Sequence, residues 1–189
     1  SVLPTKLTTG VSLVGSPLTT QCHPASLASM KRRSLTSAIE TLALADHKIA
    51  LVSGPRQCGK TTLARMLLRN RKTGLYRNWD EVEFRRTWAL NPSALIPQVR
   101  GKDVPLVVLD EIHKDRRWKR NLKGLFDTLK KPCDILVTGS ARLNVYMKGS
   151  DSLLGRHLSF RLHPFTLREL QKADVLSPDR MLQALPTRA

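Results

Sequence analysis

Acidic residues are scarce in this sequence. Fifteen Asp and Glu stand against 32 Lys and Arg, which gives the 189 residues a formal charge of +17 and a pI near 10.6. Such a balance favours contact with a polyanion, either nucleic acid or an acidic membrane surface. A basic solvated surface without a dedicated partner explains the same charge, so composition alone does not decide between them.

Cysteines and long apolar runs are also few. The three cysteines, Cys22, Cys58 and Cys133, are widely spaced and form no C-x-x-C pair. This excludes a disulfide framework and a cysteine-based zinc site, and it indicates reduced intracellular thiols. No apolar run approaches the ~18 residues of a membrane span, and the N-terminus lacks a signal-peptide pattern. We therefore expect a cytoplasmic protein with no membrane span.

Charge is nearly absent from the first part of the chain. Lys6 is the only formally charged residue among residues 1–29, where Ser, Thr and Pro interrupt any period, so we interpret this stretch as a flexible N-terminal extension. Residues 30–172 are long enough to form one domain with a real core. Residues 173–189 lack a clear apolar face and are interpreted as a C-terminal tail.

The most informative stretch fits the phosphate-binding (Walker A) pattern G-x-x-x-x-G-K-[ST]. It follows a short apolar strand, residues 48–53, and opens a helix. A Gly-bearing loop between a strand and a helix N-terminus converges backbone N–H groups on an anion, and the helix dipole favours negative charge there. We expect Lys60 to reach the β- and γ-phosphates and Thr61 to ligate Mg²⁺. The predicted nucleotide-binding residues are Gly54, Pro55, Arg56, Gln57, Cys58, Gly59, Lys60, Thr61 and Thr62.

A second signal is the acidic pair that ends the apolar run of residues 106–109. Four consecutive apolar residues are typical of a parallel strand buried on both faces, and Asp110 and Glu111 follow at its carboxyl end, where ligands bind in open α/β sheets. This pattern (Walker B) predicts that Asp110 holds the magnesium shell and that Glu111 is the general base for the attacking water. The strand at residues 135–140 ends in hydroxyls, of which Thr138 is the better candidate and Ser140 the second to contact that water or the γ-phosphate.

Residues 118–129 predict a helix with one apolar stripe that begins at Trp118, which we expect in the core rather than in contact with bases. Arg116, Arg120 and Lys123 lie on the opposite face and form the densest basic patch of the chain, called the basic face below. It could bind nucleic acid phosphates or be only a soluble helix surface.

Together these motifs resemble the AAA-type (AAA+) domain of a large family of bacterial and archaeal ATP-binding proteins, in which the AAA core precedes a C-terminal domain of unknown function. The resemblance covers residues 30–172. It rests on residues 54–62 with Asn-Trp-Asp at 78–80, Leu-Asp-Glu-Ile-His-Lys at 109–114, Thr-Gly-Ser-Ala-Arg at 138–142, Asp-Ser-Leu-Leu-Gly-Arg at 151–156 and Leu-His-Pro-Phe at 162–165. The chain departs from the pattern at Cys58, where an aliphatic residue is usual, and it stops where the second domain would begin.

The resemblance implies an α/β P-loop NTPase fold, a three-layer sandwich with a mainly parallel five-stranded sheet. It implies ATP and Mg²⁺ as cofactors, with Lys60 and Thr61 on phosphate and metal, Asp110 and Glu111 as the acidic pair and Thr138 at the sensor position. Such ATPases often present an arginine to the nucleotide, in many cases that of a neighbouring subunit. Arg156 is the candidate for this role here, with Arg142 as runner-up. If the arginine acts on the nucleotide of a neighbouring subunit, the protein must form a homo-oligomer.

Two functions remain open on this basis. The favoured one is Mg-dependent ATP hydrolysis, supported by the Asp110-Glu111 pair. Its rival is a nucleotide-dependent binding module with little or no turnover, for which nucleic acid is the candidate partner. A small-molecule kinase ranks third because neither an acceptor pocket nor an arginine-bearing lid is evident.

Overall fold

A five-stranded parallel sheet forms the centre of the domain in the computed structural model, which describes residues 33–99, 102–140, 143, 153–167 and 169. The spatial order of the strands is β2-β3-β4-β1-β5, and every neighbouring pair is parallel. The strands are β1 (Ile49–Ser53), β2 (Gly74–Asn78), β3 (Leu106–Asp110), β4 (Asp134–Gly139) and β5 (His157–Arg161). The predicted extension 1–29, and the predicted tail 173–189, lie outside the described residues.

Helices cover both faces of this sheet. The α-helices are α1 (Ser34–Ala38), α2 (Lys60–Arg69), α3 (Val82–Leu90) and α4 (Trp118–Asp127), and a π-helical turn, Ile39–Leu44, continues α1. Two short 3₁₀ turns, Pro92–Leu95 and Ile112–Lys114, follow α3 and β3. Among the described residues, no helix is long and apolar enough to cross a membrane.

The buried residues form two clusters, one on each face of the sheet. Side chains of the central strands alternate between them with the period of two that a strand imposes: Ile49 and Leu51 face one cluster, while Ala50 and Val52 face the other. The first cluster contains α3 and α4, and it includes Trp118, which is 3% exposed. The second contains α2 and the π-helical turn. These layers confirm the predicted three-layer α/β fold and the predicted core role of Trp118.

The first helix differs from its sequence pattern. In the sequence, the apolar residues Leu35, Ile39 and Leu42 follow helical spacing, which predicts a first helix that packs them against the edge of the sheet. In the structure Leu42 is 56% exposed, while Ala43 and Leu44 are buried. The reason is the π-helical turn, in which the Ala45 amide bonds to Glu40 at i−5 rather than i−4. The wider turn rotates the following residues by part of a turn and so changes which of them face the sheet.

Candidate nucleotide-binding site

The predicted phosphate loop connects β1 to α2. Residues 54–59 leave the carboxyl end of β1, and the ten-residue α2 begins at Lys60. Gln57 and Gly59 have positive φ angles of 62° and 94°, so the chain reverses direction immediately before the helix. Glycine adopts this left-handed conformation without the Cβ penalty that other residues incur, which explains the Gly of the G-K-[ST] triplet. The result is a tight loop at a helix N-terminus, the geometry of an anion site.

The first glycine of the loop, Gly54, is explained by lack of space rather than by its backbone angles. A Cβ atom on Gly54 would overlap the Leu162 carbonyl oxygen and approach the Cys58 Sγ to 2.9 Å. The Leu162 amide in turn donates to the Ser53 carbonyl at 2.7 Å, so the end of β1 and the chain after β5 run in direct contact. Cys58 is 5% exposed and belongs to the core cluster beneath the loop, while Pro55, Arg56 and Gln57 are exposed.

Lys60 lies back across its own loop. Its ammonium donates to the Gly54 carbonyl at 3.1 Å and the Pro55 carbonyl at 2.7 Å, and the residue is 8% exposed. Carbonyl oxygens have no formal charge, so they solvate the ammonium without neutralising it. The positive charge therefore remains available to an anion bound in the loop.

The buried carboxylate of Asp110, only 2% exposed, meets the loop. The strand register sets Asp110 beside Thr138 on β4, and Thr138 beside Val52 on β1, so the carboxyl ends of three strands align. Thr61 donates its hydroxyl to Asp110 Oδ2 at 2.9 Å, and Thr138 donates to Oδ1. The structure thus brings together both predicted metal ligands. Thr138, predicted to contact water or the γ-phosphate, here donates to the carboxylate that is predicted to hold the metal, and its predicted contact stays a prediction.

A third hydroxyl group, that of Tyr76, donates to Asp110, and it was not predicted from the sequence. Tyr76, at the middle of β2, donates its phenol to Asp110 Oδ2 at 2.6 Å. Burial, together with the hydrogen bond to Asp110, raises the pKa of Tyr76 to about 12, so the phenol keeps its proton at neutral pH. The Arg65 guanidinium lies 5.2 Å from the centre of its ring. Tyr76 is therefore a permanent donor that fixes the orientation of the carboxylate.

Glu111 occupies an unusual backbone position. Of the described non-glycine residues, three have a positive φ, and Glu111 is one of them at φ 60°, ψ 20°. Its amide donates to the Thr138 carbonyl at 2.9 Å, which anchors the strained residue to β4. Non-glycine residues in this region cost energy and concentrate at functional sites.

The Glu111 side chain is 26% exposed and lies close to a histidine. Its Oε2 is 3.6 Å from His113 Nε2, and the same nitrogen is 3.0 Å from the Ser140 hydroxyl. Ser140, the second candidate on β4, is therefore engaged with His113. A partly exposed carboxylate at the strand end is accessible to water, as a general base must be.

The family model of the AAA domain matches residues 46–171, which is most of the chain. The chain belongs to the AAA domain family. It is also 29% identical over 133 residues to an uncharacterized protein of Methanocaldococcus jannaschii, a match that covers 65% of this chain and 27% of the relative. The chain thus spans about a quarter of the length of that relative.

The fold is similar to that of a solved structure. The Aeropyrum pernix ORC1 protein in complex with DNA superposes with a TM-score of 0.51 at 16% identity, over 80% of this chain and 50% of that one. C. elegans PCH-2 superposes with a TM-score of 0.47 at 14% identity, over 79% of this chain and 50% of that one. The family and the fold together make this an AAA-type P-loop domain with a nucleotide-binding, ATPase-type function.

The structure does not bring Arg156 to the phosphate loop of its own AAA domain. Arg156 precedes β5, and its carbonyl accepts from the Ile49 amide at the amino end of β1, whereas the loop follows the carboxyl end of β1. Five residues of strand, roughly 13 Å, separate the two ends. The guanidinium pairs instead with Asp127 at 2.7 and 3.2 Å and lowers the pKa of that carboxyl. A contribution of Arg156 to the nucleotide of its own chain is thus not supported, which leaves the role towards a neighbouring subunit as a prediction. Arg142 lies outside the described residues.

Two of the three residues of the basic face lie on α4. Arg120 is exposed and Lys123 is partly buried, on the side of the helix away from its core residues Leu122 and Leu125, whereas Arg116 is exposed and precedes the helix, which begins at Trp118. Lys119 lies at the margin of the basic face, with its ammonium 5.9 Å from the Trp118 ring, and burial lowers its pKa. Exposed cations on a folded helix remain compatible with both predicted interpretations, a phosphate-binding surface and a solvated one.

Proposed function

We propose that this AAA domain binds ATP with Mg²⁺ at the phosphate loop and hydrolyses it to ADP and phosphate. The observation that carries the proposal is the hydrogen bond between Thr61 and Asp110, 2.9 Å long, which joins the loop to the carboxyl end of β3. A phosphate site and an oxygen-rich acidic site thereby become one site. That combination is what the transfer of a phosphoryl group to water requires.

The residues present fit a magnesium ion. The Thr61 hydroxyl and the Asp110 carboxylate are the hard oxygen ligands that Mg²⁺ prefers, and Mg²⁺ commonly takes only one or two protein ligands beside phosphate and water. Among the described residues there is no cluster of three or more His, Cys, Asp or Glu that would favour another metal. We assign Thr61 and Asp110 to the ion, which when bound neutralises charge on the phosphates. Tyr76 and Thr138 hold the carboxylate in place.

Lys60 and Glu111 have the catalytic roles in this proposal. Lys60 exchanges the Gly54 and Pro55 carbonyls for phosphate oxygens, and its charge stabilises the transition state. Glu111 accepts the proton of the attacking water, supported by its exposure and its position one residue after Asp110. The loop of residues 54–62 binds the phosphates through its backbone N–H groups, which every residue of the loop except Pro55 has. The free thiols at Cys58 and Cys133 support the cytoplasmic location that we also propose.

Variants of Lys60 and Glu111 separate nucleotide binding from hydrolysis. Glu111→Gln should bind Mg-ATP as the wild type does and lose turnover by ~10²-fold or more, the scale of general-base catalysis. Lys60→Ala should weaken nucleotide binding itself. Calorimetric titration with ADP and measurement of phosphate release test both, and unchanged hydrolysis by Glu111→Gln would remove that residue from the mechanism.

The second candidate function is a nucleotide-dependent module that binds nucleic acid with little turnover. The exposed basic face and the charge of +17 favour it, and the similar ORC1 structure is a complex with DNA. If the face contacts phosphates, charge reversal at Arg116, Arg120 and Lys123 should flatten the salt dependence of binding by up to about three phosphate contacts. The matched control reverses three cations elsewhere, Arg69→Glu, Lys72→Glu and Arg86→Glu. Equal effects of the two triple changes would make the basic face only a solvated surface.

A homo-oligomer is the remaining partner that we propose, with Arg156 acting on the nucleotide of a neighbouring copy. In that case turnover per chain rises with protein concentration, and Arg156→Ala binds ATP normally but hydrolyses it slowly. Mixing Arg156→Ala with Lys60→Ala should restore some activity, because each supplies what the other lacks. Concentration-independent turnover without rescue on mixing argues against this role.

A further inference from the structure

Arg33 is a buried cation outside the site described above. The residue is 6% exposed, although it precedes α1 and lies 21 positions before the phosphate loop begins. Its guanidinium contacts the loop on one side and, on the other, the described residues that come after β5 and Leu162. We call residues 163–167 and 169 the exit segment.

On the loop side, Arg33 Nη1 donates to the Cys58 carbonyl at 3.0 Å. Cys58 lies between the two positive-φ residues, Gln57 and Gly59, so this bond holds the peptide at which the loop reverses. In a trans peptide the C=O and N–H groups point in opposite directions, and therefore the bond that orients the Cys58 carbonyl also orients the Gly59 N–H. That amide is one of the loop donors available to a phosphate.

On the other side, the same guanidinium has three contacts with the exit segment. Nη2 donates to the His163 carbonyl, Nε lies 3.3 Å from Glu169 Oε1, and the Phe165 ring centre is 4.1 Å from the guanidinium carbon. Arginine suits this position because its planar fork reaches several acceptors at fixed angles while its face stacks on an aromatic ring.

Glu169, in the exit segment, also contacts Ser34 at the start of α1. Its side chain is 11% exposed, and Oε1 accepts from both the amide and the hydroxyl of Ser34, at 3.1 and 2.9 Å. Its Oε2 accepts from the Thr166 amide at 3.1 Å. Although burial tends to raise the pKa of Glu169, these hydrogen bonds and the Arg33 charge lower it to about 2. The carboxylate is ionised at neutral pH and ties the exit segment to the start of α1.

A buried guanidinium is stable only while its acceptors are in place, because removing one partner leaves an uncompensated charge away from water. Displacing the exit segment would therefore destabilise the position of Arg33 and, through it, the Cys58 carbonyl. We propose that Arg33 is a positioning residue for the phosphate loop and that it couples nucleotide binding to the docking of the exit segment. Linkage is reciprocal, so bound nucleotide stabilises the docked segment by the same factor.

The inference rests on nucleotide binding at the loop, and its test uses ADP with Mg²⁺, so that hydrolysis is not required. The decisive variant is Glu169→Gln in the full 189-residue chain, because Glu169 contacts Arg33 and not the loop. We expect its dissociation constant for ADP to rise by about fivefold or more, the lower range of measured couplings between sites. In an Arg33→Gln background, Glu169→Gln should raise the dissociation constant for ADP by less than a further factor of about two. The reason is that Glu169 can no longer act on the loop through Arg33. Glu83→Gln on α3 is the matched control, with an exposed carboxylate and no effect expected.

Amide hydrogen exchange gives a second readout that a merely structural role would not move. In the wild type, ADP should slow exchange at the Thr166 and Ser34 amides, which bond to Glu169, and in Arg33→Gln it should not. If Arg33→Gln does not fold, as judged by circular dichroism, Arg33→Lys takes its place in both measurements.

The outcomes separate this inference from the proposed function. If the wild-type chain binds neither ADP nor ATP, the proposed function fails and the coupling fails with it. If the wild type binds ADP and Glu169→Gln lowers only the melting temperature, with affinity within about twofold, the exit segment is a structural element and the coupling alone is overturned. Additive effects of Arg33→Gln and Glu169→Gln on ADP affinity would overturn it as well.

Discussion

Removal of the Tyr76 hydroxyl tests whether its hydrogen bond to the Asp110 carboxylate stabilises the fold. Tyr76→Phe deletes one oxygen atom and leaves the ring that contacts Arg65 in place. The deleted donor bonds to a 2%-exposed carboxylate at 2.6 Å, and hydrogen bonds to charged groups contribute about 1.5–3 kcal/mol. Thr61 and Thr138 still donate to the carboxylate, so we expect a loss at the lower end of that range. For a domain of this size, about 1.5 kcal/mol lowers the Tm by about 3–6 °C.

A double-mutant cycle shows whether the loss comes from that bond. The free energy of unfolding is measured by urea denaturation for wild type, Tyr76→Phe, Asp110→Asn and the double variant. Because Asp110→Asn replaces the charged carboxylate with a neutral amide, Tyr76→Phe should cost at least about 1 kcal/mol less in that background. An equal cost in both backgrounds would mean that Tyr76 contributes through packing, and it would refute the role assigned to its hydroxyl.

Three further predictions concern other parts of the chain. Gly54→Ala should destabilise the fold by more than about 2 kcal/mol in thermal melts, because the added Cβ meets the Leu162 backbone, and Gly124→Ala, with open space around it, should not. Cys133, whose pKa burial raises to about 12, should resist alkylation by iodoacetamide until the chain unfolds; labelling at the rate of a free thiol would contradict its burial. Glu169→Gln should be less stable than the wild type at pH 7, and the gap should close as the pH falls from about 4.5 to about 2, since a lowered carboxyl pKa stabilises only the ionised state.

The parts of the site that local sequence encodes could be predicted. The phosphate-loop pattern, and the helix that follows it, depend on consecutive residues, so spacing alone placed Lys60 and Thr61 at the start of a helix, where the structure has them. The strand that ends in Asp110 was found from its apolar run, and the rule that ligands bind at the carboxyl ends of parallel strands made Asp110 a candidate. Its hydrogen bond with Thr61 was not predicted.

Contacts between distant residues could not be predicted in the same way. Tyr76 meets Asp110 only because β2 and β3 pair in one particular register, which no single-sequence pattern encodes. Arg33 and Glu169 are 136 positions apart. Leu42 was misplaced because a π-helical turn changes the period that the pattern assumed. No sequence pattern showed that Arg156, just before β5, lies at the amino end of β1 and so away from the phosphate loop of its own chain; its role towards a neighbouring subunit stays a prediction.

The central claim is that one site, built from Lys60, Asp110 and Glu111, hydrolyses ATP. Its most direct test is phosphate release by the purified full chain with Mg²⁺ and ATP, beside Lys60→Ala and Glu111→Gln and with ADP affinity measured on all three. We predict turnover by the wild type, weakened nucleotide binding by Lys60→Ala, and retained binding with ~10²-fold slower release by Glu111→Gln. Turnover that persists unchanged in both variants, or a wild-type chain that does not bind nucleotide, would contradict it.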